Sequence, residues 1–494
     1  MQHTAPRATL QQIAPSYAFH PFSDLLRVDL EEALREAGKD SFRQGTILIP
    51  LFLVWIILGL TLRRDLNTSG VIEWMISAER WLDLNLVSGL ISDGALSRAR
   101  VALGFEVFQN LFRKSAARIS PDPDFHGLVT AIFDGTTMTM PDTEENRESF
   151  GKPSCQYGSA GFPQLRLMTL LVGATHQVLE MAWAPYRGKG TGERSLMKEI
   201  LKRLPRRGLL FLLDAGLYSF ELLWLLTGEG EHFILKAASN LKLIPIREKS
   251  ARLSDGSYLV ILRETVDGQS REMVVRVVDC QVRGFRPFRL ITSLLDEKIS
   301  ALEIARHYHQ RWQIEISFDE IKTHQCATLR GQSPTILRSR RPDLIKQELF
   351  ALLISYNAIR TLMRQAAERH GKAPASLRFL DSLQAIINVV PNFNWPGHPH
   401  SVAERRDYLL DVLSDFELKR PREGRINPRV VKVKSSKWER KTERHPGEKR
   451  DFEKDLSIRP PIPDEEGILM SIIKLPLHIH SPGPDITLSQ ATES

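Results

Sequence analysis

Two short apolar runs that each close on an aspartate constrain this chain more than any other feature of its 494 residues. HGLVTAIFDG, residues 126–135, has a β-branched bias and ends abruptly at Asp134 and Gly135. That is the pattern of a buried strand delivering an acid to its C-terminal end. GLLFLLDAGLYS, residues 208–219, repeats the pattern and puts Asp214 in the same position. Each acid also has a purely structural reading. Asp134 with Gly135 is a turn former, and Asp214 is a helix N-cap ahead of FELLWLL.

The segments around these runs alternate in type. Residues 1–120 read as an all-α domain, with three-to-four residue apolar spacing in LLRVDLEEALREAG, VIEWMISAERWLDL and GALSRARVALGFEVFQNLFRKSA. The last of these is one helix capped by Ser92 or Asp93, and its Arg98, Arg100, Arg113 and Lys114 suit a surface facing DNA or solvent. Residues 46–62 form an uncharged run at the short limit for a bilayer, broken by Pro50 and Gly59. It reads as a buried helix, and no membrane partner is expected.

After Pro121 and Pro123, two strands at 165–174 and 177–186 pair as a hairpin through His176, and a helix opens near Thr191 and Glu193. Residues 121–236 and 289–370 read as one α/β core. Residues 237–288, with turn signals at Asp255-Gly256 and Asp267-Gly268, are a β-rich insertion. A helix from Ser300 to about Gln325 follows, and another from Asp343 to about Ala367 packs behind it. Residues 371–450 are helical and then basic, and residues 451–494, rich in proline, are expected to be disordered.

YHQRWQIEISFDEIK, from Tyr308 to Lys322, carries the third acid. At about 100° per residue, Tyr308, Arg311, Glu315 and Lys322 share a stripe roughly 60° wide. An ordinary i, i+4 ion pair explains Arg311 with Glu315 but not Lys322. Asp319 lies one turn further on, about 40° around the same face. The spacing to Tyr308, Arg311 and Lys322 selects Glu315.

Asp134, Asp214 and Glu315 are separated by 80 and 101 residues, yet two strand ends and a late helix can converge on one side of a sheet. Three such carboxylates hold two divalent ions about 4 Å apart for in-line phosphoryl transfer, and hard oxygen ligands favour Mg²⁺ or Mn²⁺. The charge supports a polyanionic partner. The net charge is +8, and residues 419–450 hold thirteen Lys or Arg against four Glu around Trp438. Cys155, Cys280 and Cys326 form no CxxC pair, which excludes a zinc ribbon and fits a reducing compartment. The His-x-His pairs 307/309, 398/400 and 478/480 lack ligand spacing and are assigned no metal.

Tyr308, two residues, Arg311, three residues, Glu315, six residues and Lys322 resemble the Tyr-Arg-Glu-Lys signature of bacterial DDE transposases of the insertion-sequence-four family. DGTTMTMPDTEENRESFG, FPQLRLMTLL, DAGLYS and RINPRVVKVKSSKWERK resemble further blocks, so the likeness covers roughly residues 20–445. It implies an α/β fold, a ribonuclease-H-like mixed-sheet core with a β-rich insertion behind an all-α N-terminal domain. It implies Asp134, Asp214 and Glu315 as the metal-binding triad. Tyr308, Arg311, Lys322 and the neighbouring Trp312 are then the DNA-contacting residues. It further implies two metal ions per site, terminal inverted repeats and target DNA as partners, a homodimer or larger assembly on DNA, and a cytoplasmic setting.

The chain departs from the family twice. Residues 237–288 contain no Trp to hold a flipped base, leaving Tyr258, Phe285 or Phe288 for that role if it exists. Ala215 stands where relatives commonly carry a basic residue. The alternative function is a catalytically inactive, transposase-derived DNA-binding protein, against which the intact acids and Lys322 argue.

Overall fold

Local chemistry sets the helices that precede the first strand of the computed structural model, which describes residues 14, 16–41, 48–78, 91–155, 158–159, 161–205, 208–246, 251–266, 268–328, 331–332, 335–393, 395, 398–419, 425–426 and 450–458. These helices are α1 (Phe22–Glu36), α2 (Pro50–Leu62), α3 (Thr68–Met75), α4 (Asp93–Leu103) and α5 (Glu106–Ala117). Pro50 opens α2 at a position where its missing N–H costs nothing. At 13 residues α2 is about 20 Å long, and Phe52 to Leu58 are buried inside the protein. No helix among the described residues is long and apolar enough to cross a membrane.

Where one helix was expected from Gly94 to Ala116 there are two. Ser92 caps α4 by accepting from the Ala95 N–H at 3.2 Å, and Gly104, at a φ of +81°, turns the chain before α5. The expected open cationic face is also partly consumed. Arg100 donates to Gln347 Oε1 at 2.8 Å and to Ser339 Oγ at 3.3 Å, and Lys114 pairs with Glu32 and Glu36 at 3.0 and 2.8 Å. Arg98 and Arg113 are exposed.

The described residues divide into two units, one of residues 1–204 and 310–423, the other of residues 205–309 and 424–494. The first continues with strands β1 (Val129–Thr139), β2 (Gln164–Val172) and β3 (Val178–Pro185), then α6 (Glu193–Arg203). β2 pairs antiparallel with both β1 and β3. The hairpin between β2 and β3 turns through His176, which takes a φ of +62°. β1 does not stop at Asp134. Thr136, Thr137 and Thr139 favour extended backbone, and the ladder with β2 continues from Asp134↔Thr169 to Thr139↔Gln164. Asp134 therefore sits within the strand.

The second unit holds β4 (Leu209–Leu213), α7 (Phe220–Gly228), β5 (His232–Lys236), β6 (Tyr258–Val266), β7 (Gln269–Val282), β8 (Phe288–Thr292) and α8 (Ala301–His309). Its sheet is mixed. β4 and β5 are parallel, and β8, β7 and β6 follow antiparallel in that order. The strands read as an insertion thus extend the same sheet. β4 is fully buried, and the chain leaves it at Asp214 in an extended conformation before a 3₁₀ turn at Ala215–Leu217. Asp255, in the turn before β6, accepts from the Ala301 N–H at 2.6 Å and so caps α8.

The first unit resumes with α9 (Gln313–Asp319), α10 (Pro342–Arg369), α11 (Phe379–Phe393) and α12 (Val402–Ser414). α10 is buried along most of its length and forms the axis of that unit. Disorder was expected from residue 451, yet β9 (Leu456–Ile458) pairs with β7, and Phe452 stacks on His309 at 4.1 Å between ring centres. Burial of an aromatic ring and three ladder pairs tie this short stretch to the second unit. Trp438, most of the basic stretch and residues 459–494 lie outside the described residues.

Candidate active site

Alternation along β1 puts Asp134 and Thr136 on one face of the sheet, and α9 packs against that strand. Arg311 reaches between two acids there. Its Nη1 lies 3.7 Å from Asp134 Oδ2 and its Nη2 lies 3.8 Å from Glu315 Oε1. Both contacts are ion pairs longer than a hydrogen bond. Lys322 reaches the same strand two residues on, its Nζ donating to Thr136 Oγ1 at 3.0 Å. Burial holds the Lys322 ammonium below the usual lysine pKa. Asp134, Arg311, Glu315 and Lys322, distant in sequence, are thereby brought onto one face.

The two acids of α9 have different surroundings. Asp319 is 56% exposed and pairs with His324 at 3.5 Å, whereas Glu315 shares Arg311 with Asp134. Trp312 is 36% exposed, and the Arg311 guanidinium lies over its ring at 5.8 Å. On the opposite face of β1, a Cβ added to Gly135 would meet Glu193 Oε1 at 2.6 Å. The sequence marked Glu193 only as the start of a helix, which it is.

Asp214 and Tyr308 belong to the second unit. Tyr308 is 8% exposed and donates its hydroxyl to the backbone carbonyl of Leu213 at 3.1 Å. The resemblance implied a tyrosine touching DNA. The phenol found here is packed in, and it seats α8 on the strand end that carries Asp214.

The expected single helix from Ser300 to Gln325 changes type three times. α8 ends at His309, a 3₁₀ turn covers Gln310–Trp312, α9 covers Gln313–Asp319, and a π turn covers Glu320–Gln325. Uniform rotation of 100° per residue therefore fails before Arg311 and again after Glu320. Arg311, Glu315 and Lys322 still meet one strand because α9 carries the first turn and the π turn re-aims the lysine.

Among the described residues no three His, Cys, Asp or Glu side chains stand close enough to enclose a metal ion. The donors present nonetheless fit a hard divalent cation. Two carboxylates, 28% and 34% exposed, face one another across a shared guanidinium that supplies the positive charge between them.

Comparison with known proteins gives this geometry its context. Residues 126–358 match the family model described as Transposase DDE domain. Over 424 residues, 83% of this chain and 90% of the relative, the sequence is 27% identical to transposase InsG for insertion sequence element IS4 of Escherichia coli (strain K12). The chain is thus similar to the insertion-sequence-four DDE transposases over most of its length. It is also 28% identical over 199 residues to the putative transposase InsZ of Escherichia coli (strain K12), covering 37% of this chain and 65% of that one. Among solved structures it is similar to the piggyBac transposase synaptic complex with hairpin DNA at 12% identity and a TM-score of 0.43, over 84% of this chain and 85% of that one.

The chain has an α/β fold, with helices leading into sheets of mixed strand direction. The transposase DDE domain that residues 126–358 match implies DNA transposition dependent on a divalent metal.

Proposed function

We propose that this transposase cuts and joins the ends of an insertion sequence by phosphoryl transfer, with Asp134, Asp214 and Glu315 as its metal-holding carboxylates. The observation that carries the reading is the guanidinium of Arg311 poised between Asp134 and Glu315, at 3.7 and 3.8 Å. A guanidinium held at ion-pair distance from two acids marks a place where a phosphate can be received. Mg²⁺ or Mn²⁺, two ions per site, would supply Lewis-acid activation of the attacking oxygen and neutralise the leaving one.

The protein's own groups divide the remaining work. Arg311 turns from the carboxylates to a non-bridging phosphate oxygen at the transposon end. Lys322, already aimed at the strand that bears Asp134, holds a neighbouring phosphate as a point charge. Trp312 offers its exposed ring for stacking on a base, sequence-tolerant in the manner of single-strand binders. Tyr308 acts through the backbone of Leu213 and orients the strand end at Asp214. Water attacks the first phosphodiester and releases a 3′-hydroxyl. That hydroxyl then attacks the opposite strand or the target, expelling a 3′-oxygen as the new bond forms.

Double-stranded DNA, as terminal repeats and as target, is thus the partner, and two ends require at least a dimer on DNA. The cytoplasm, with access to the nucleoid, is the matching setting. Purified protein incubated with the terminal DNA of its own element and Mg²⁺ tests the reading. End nicking is expected in the parent protein and not in Asp134→Ala, Asp214→Ala or Glu315→Ala. Cleavage that survives these changes removes the triad, and metal-independent end binding with no cutting under any cation favours the inactive, DNA-binding alternative.

A further inference from the structure

The face of α9 turned away from Glu315 is gripped by a buried polar cluster. Glu320 is 4% exposed, while Arg360 and His176 are 1% exposed and Tyr356 is fully buried. Glu320 accepts from Arg360 Nη2 and, at 2.9 Å, from the Tyr356 hydroxyl. Arg360 Nη2 also lies 2.7 Å from His176 Nδ1, and His176 Nε2 lies 3.0 Å from Gln313 Oε1. A guanidinium has no lone pair to offer, so His176 Nδ1 must be the acceptor. His176 is therefore neutral and donates from Nε2 to Gln313.

The cluster thus holds two points, Gln313 and Glu320, seven residues apart. On a helix both lie roughly 140–160° around the axis from Glu315. Glu320 also opens the π turn that contains Lys322, and such turns are rare and concentrate at functional sites. Apolar packing does not fix this stretch alone. A cavity of about 360 Å³ borders Gln313, Ile316, Glu320 and His324, with Phe379 on its far wall. Moreover, a buried ion pair is a poor way to gain stability, since well-packed apolar residues of similar volume usually serve as well or better. Its distinctive effect is a single geometry.

We propose that Glu320, Arg360 and His176 form a positioning clamp that fixes the π turn and thereby sets where Lys322 and Glu315 stand against Thr136 and Asp134. None of the three touches the reacting groups, so they are positioning residues, and their catalytic consequence rests on the transposase reading above.

The full-length double variant Glu320→Leu/Arg360→Met tests the clamp, with Gln313→Leu as a milder variant that frees one grip without burying a lone charge. Three quantities are read: melting temperature, peptide-level hydrogen exchange over residues 313–325, and cleavage of terminal DNA at saturating DNA and Mg²⁺. The clamp predicts folded variants with faster exchange confined to residues 313–325. It also predicts cleavage slowed about tenfold or more, with DNA affinity changed much less. A folded variant whose exchange over 313–325 matches the parent overturns the clamp, as does a parental cleavage rate despite loosened exchange. If the double variant fails to fold, Gln313→Leu decides by the same two readouts. A parent protein that cuts under no divalent cation overturns the functional reading instead, and the exchange data still judge the clamp.

Discussion

Arg311 Nη1 stands 3.7 Å from Asp134 Oδ2, and the same guanidinium reaches Glu315 on its other side. A fixed cation between two acids competes with any other cation for that place. Removing it in Arg311→Ala leaves two like charges facing each other, which lowers thermal stability in chelator. It also raises the stabilisation gained from added Mg²⁺, by about 1.4 kcal/mol for each tenfold gain in apparent affinity. Melting curves of parent and variant with EDTA and with Mg²⁺ check this. An equal or smaller Mg²⁺ shift in the variant would show that Arg311 and the metal do not share a site.

Lys322 donates to a hydroxyl, Thr136 Oγ1, in place of a carboxylate, so DNA phosphate competes with a weak partner. Lys322→Met is expected to weaken end binding and to reduce the slope of log affinity against log salt by about 0.9. Thr136→Val keeps the cation and should leave that slope unchanged. Binding titrations over a range of salt distinguish the two, and an unaltered slope in Lys322→Met would exclude a phosphate contact.

Glu348 is the structural counterpart of the site acids. It is 6% exposed and accepts from the Arg338 and Ser339 N–H groups at 3.0 and 2.9 Å, from Ser339 Oγ at 2.7 Å and from Arg64 Nη1 at 3.2 Å. Burial would push its carboxyl up, but Arg64 and Arg338 together hold it below the usual range. Glu348→Ala strands these donors and should cost about 3–5 kcal/mol. Urea unfolding measures the loss, and a change below 1 kcal/mol would mean that solvent reaches the donors.

Acid sensitivity follows from two buried groups of opposite type. Burial opposes the charged form of Glu320, yet the Arg360 guanidinium outweighs it and holds the carboxyl down to about 2, against 4.5 unperturbed. A depressed acid contributes stability above its unfolded pKa that is lost as pH falls from 4.5 toward 2. His176 is held below 6.5 by burial and by Arg360. The unfolded chain therefore binds the extra proton first, and stability begins to fall as pH drops below 6.5. Melting temperatures across this range should decline in both windows, with the upper decline reduced in His176→Gln and the lower one in Glu320→Gln. Parallel curves for all three proteins would contradict this.

Patterns of period and polarity made the hairpin through His176, the strand ending at Asp214 and the long helix α10 legible without coordinates. They misjudged β1, because an acid followed by glycine resembles a strand end whether or not a partner strand continues the ladder. The break at Gly104 was also hidden, since apolar spacing runs on through it. A signal for the clamp was present, however. Arg360 is a lone charge in the apolar stretch ALLISYNAIRTLM, and a charge on a helix buried all round requires a partner.

Residue order by itself determined which residues are candidates for the proposed chemistry: acids closing apolar runs, and an arginine, a glutamate and a lysine at fixed spacing. Spacing on an ideal helix decides only which residues share a side. Whether that side meets Asp134, and with which atoms, depended on tertiary contacts. The ladder carried β1 onward to Thr136 so that Lys322 had a partner, and the grip of Arg360 on Glu320 accompanies a π turn that no residue count reveals.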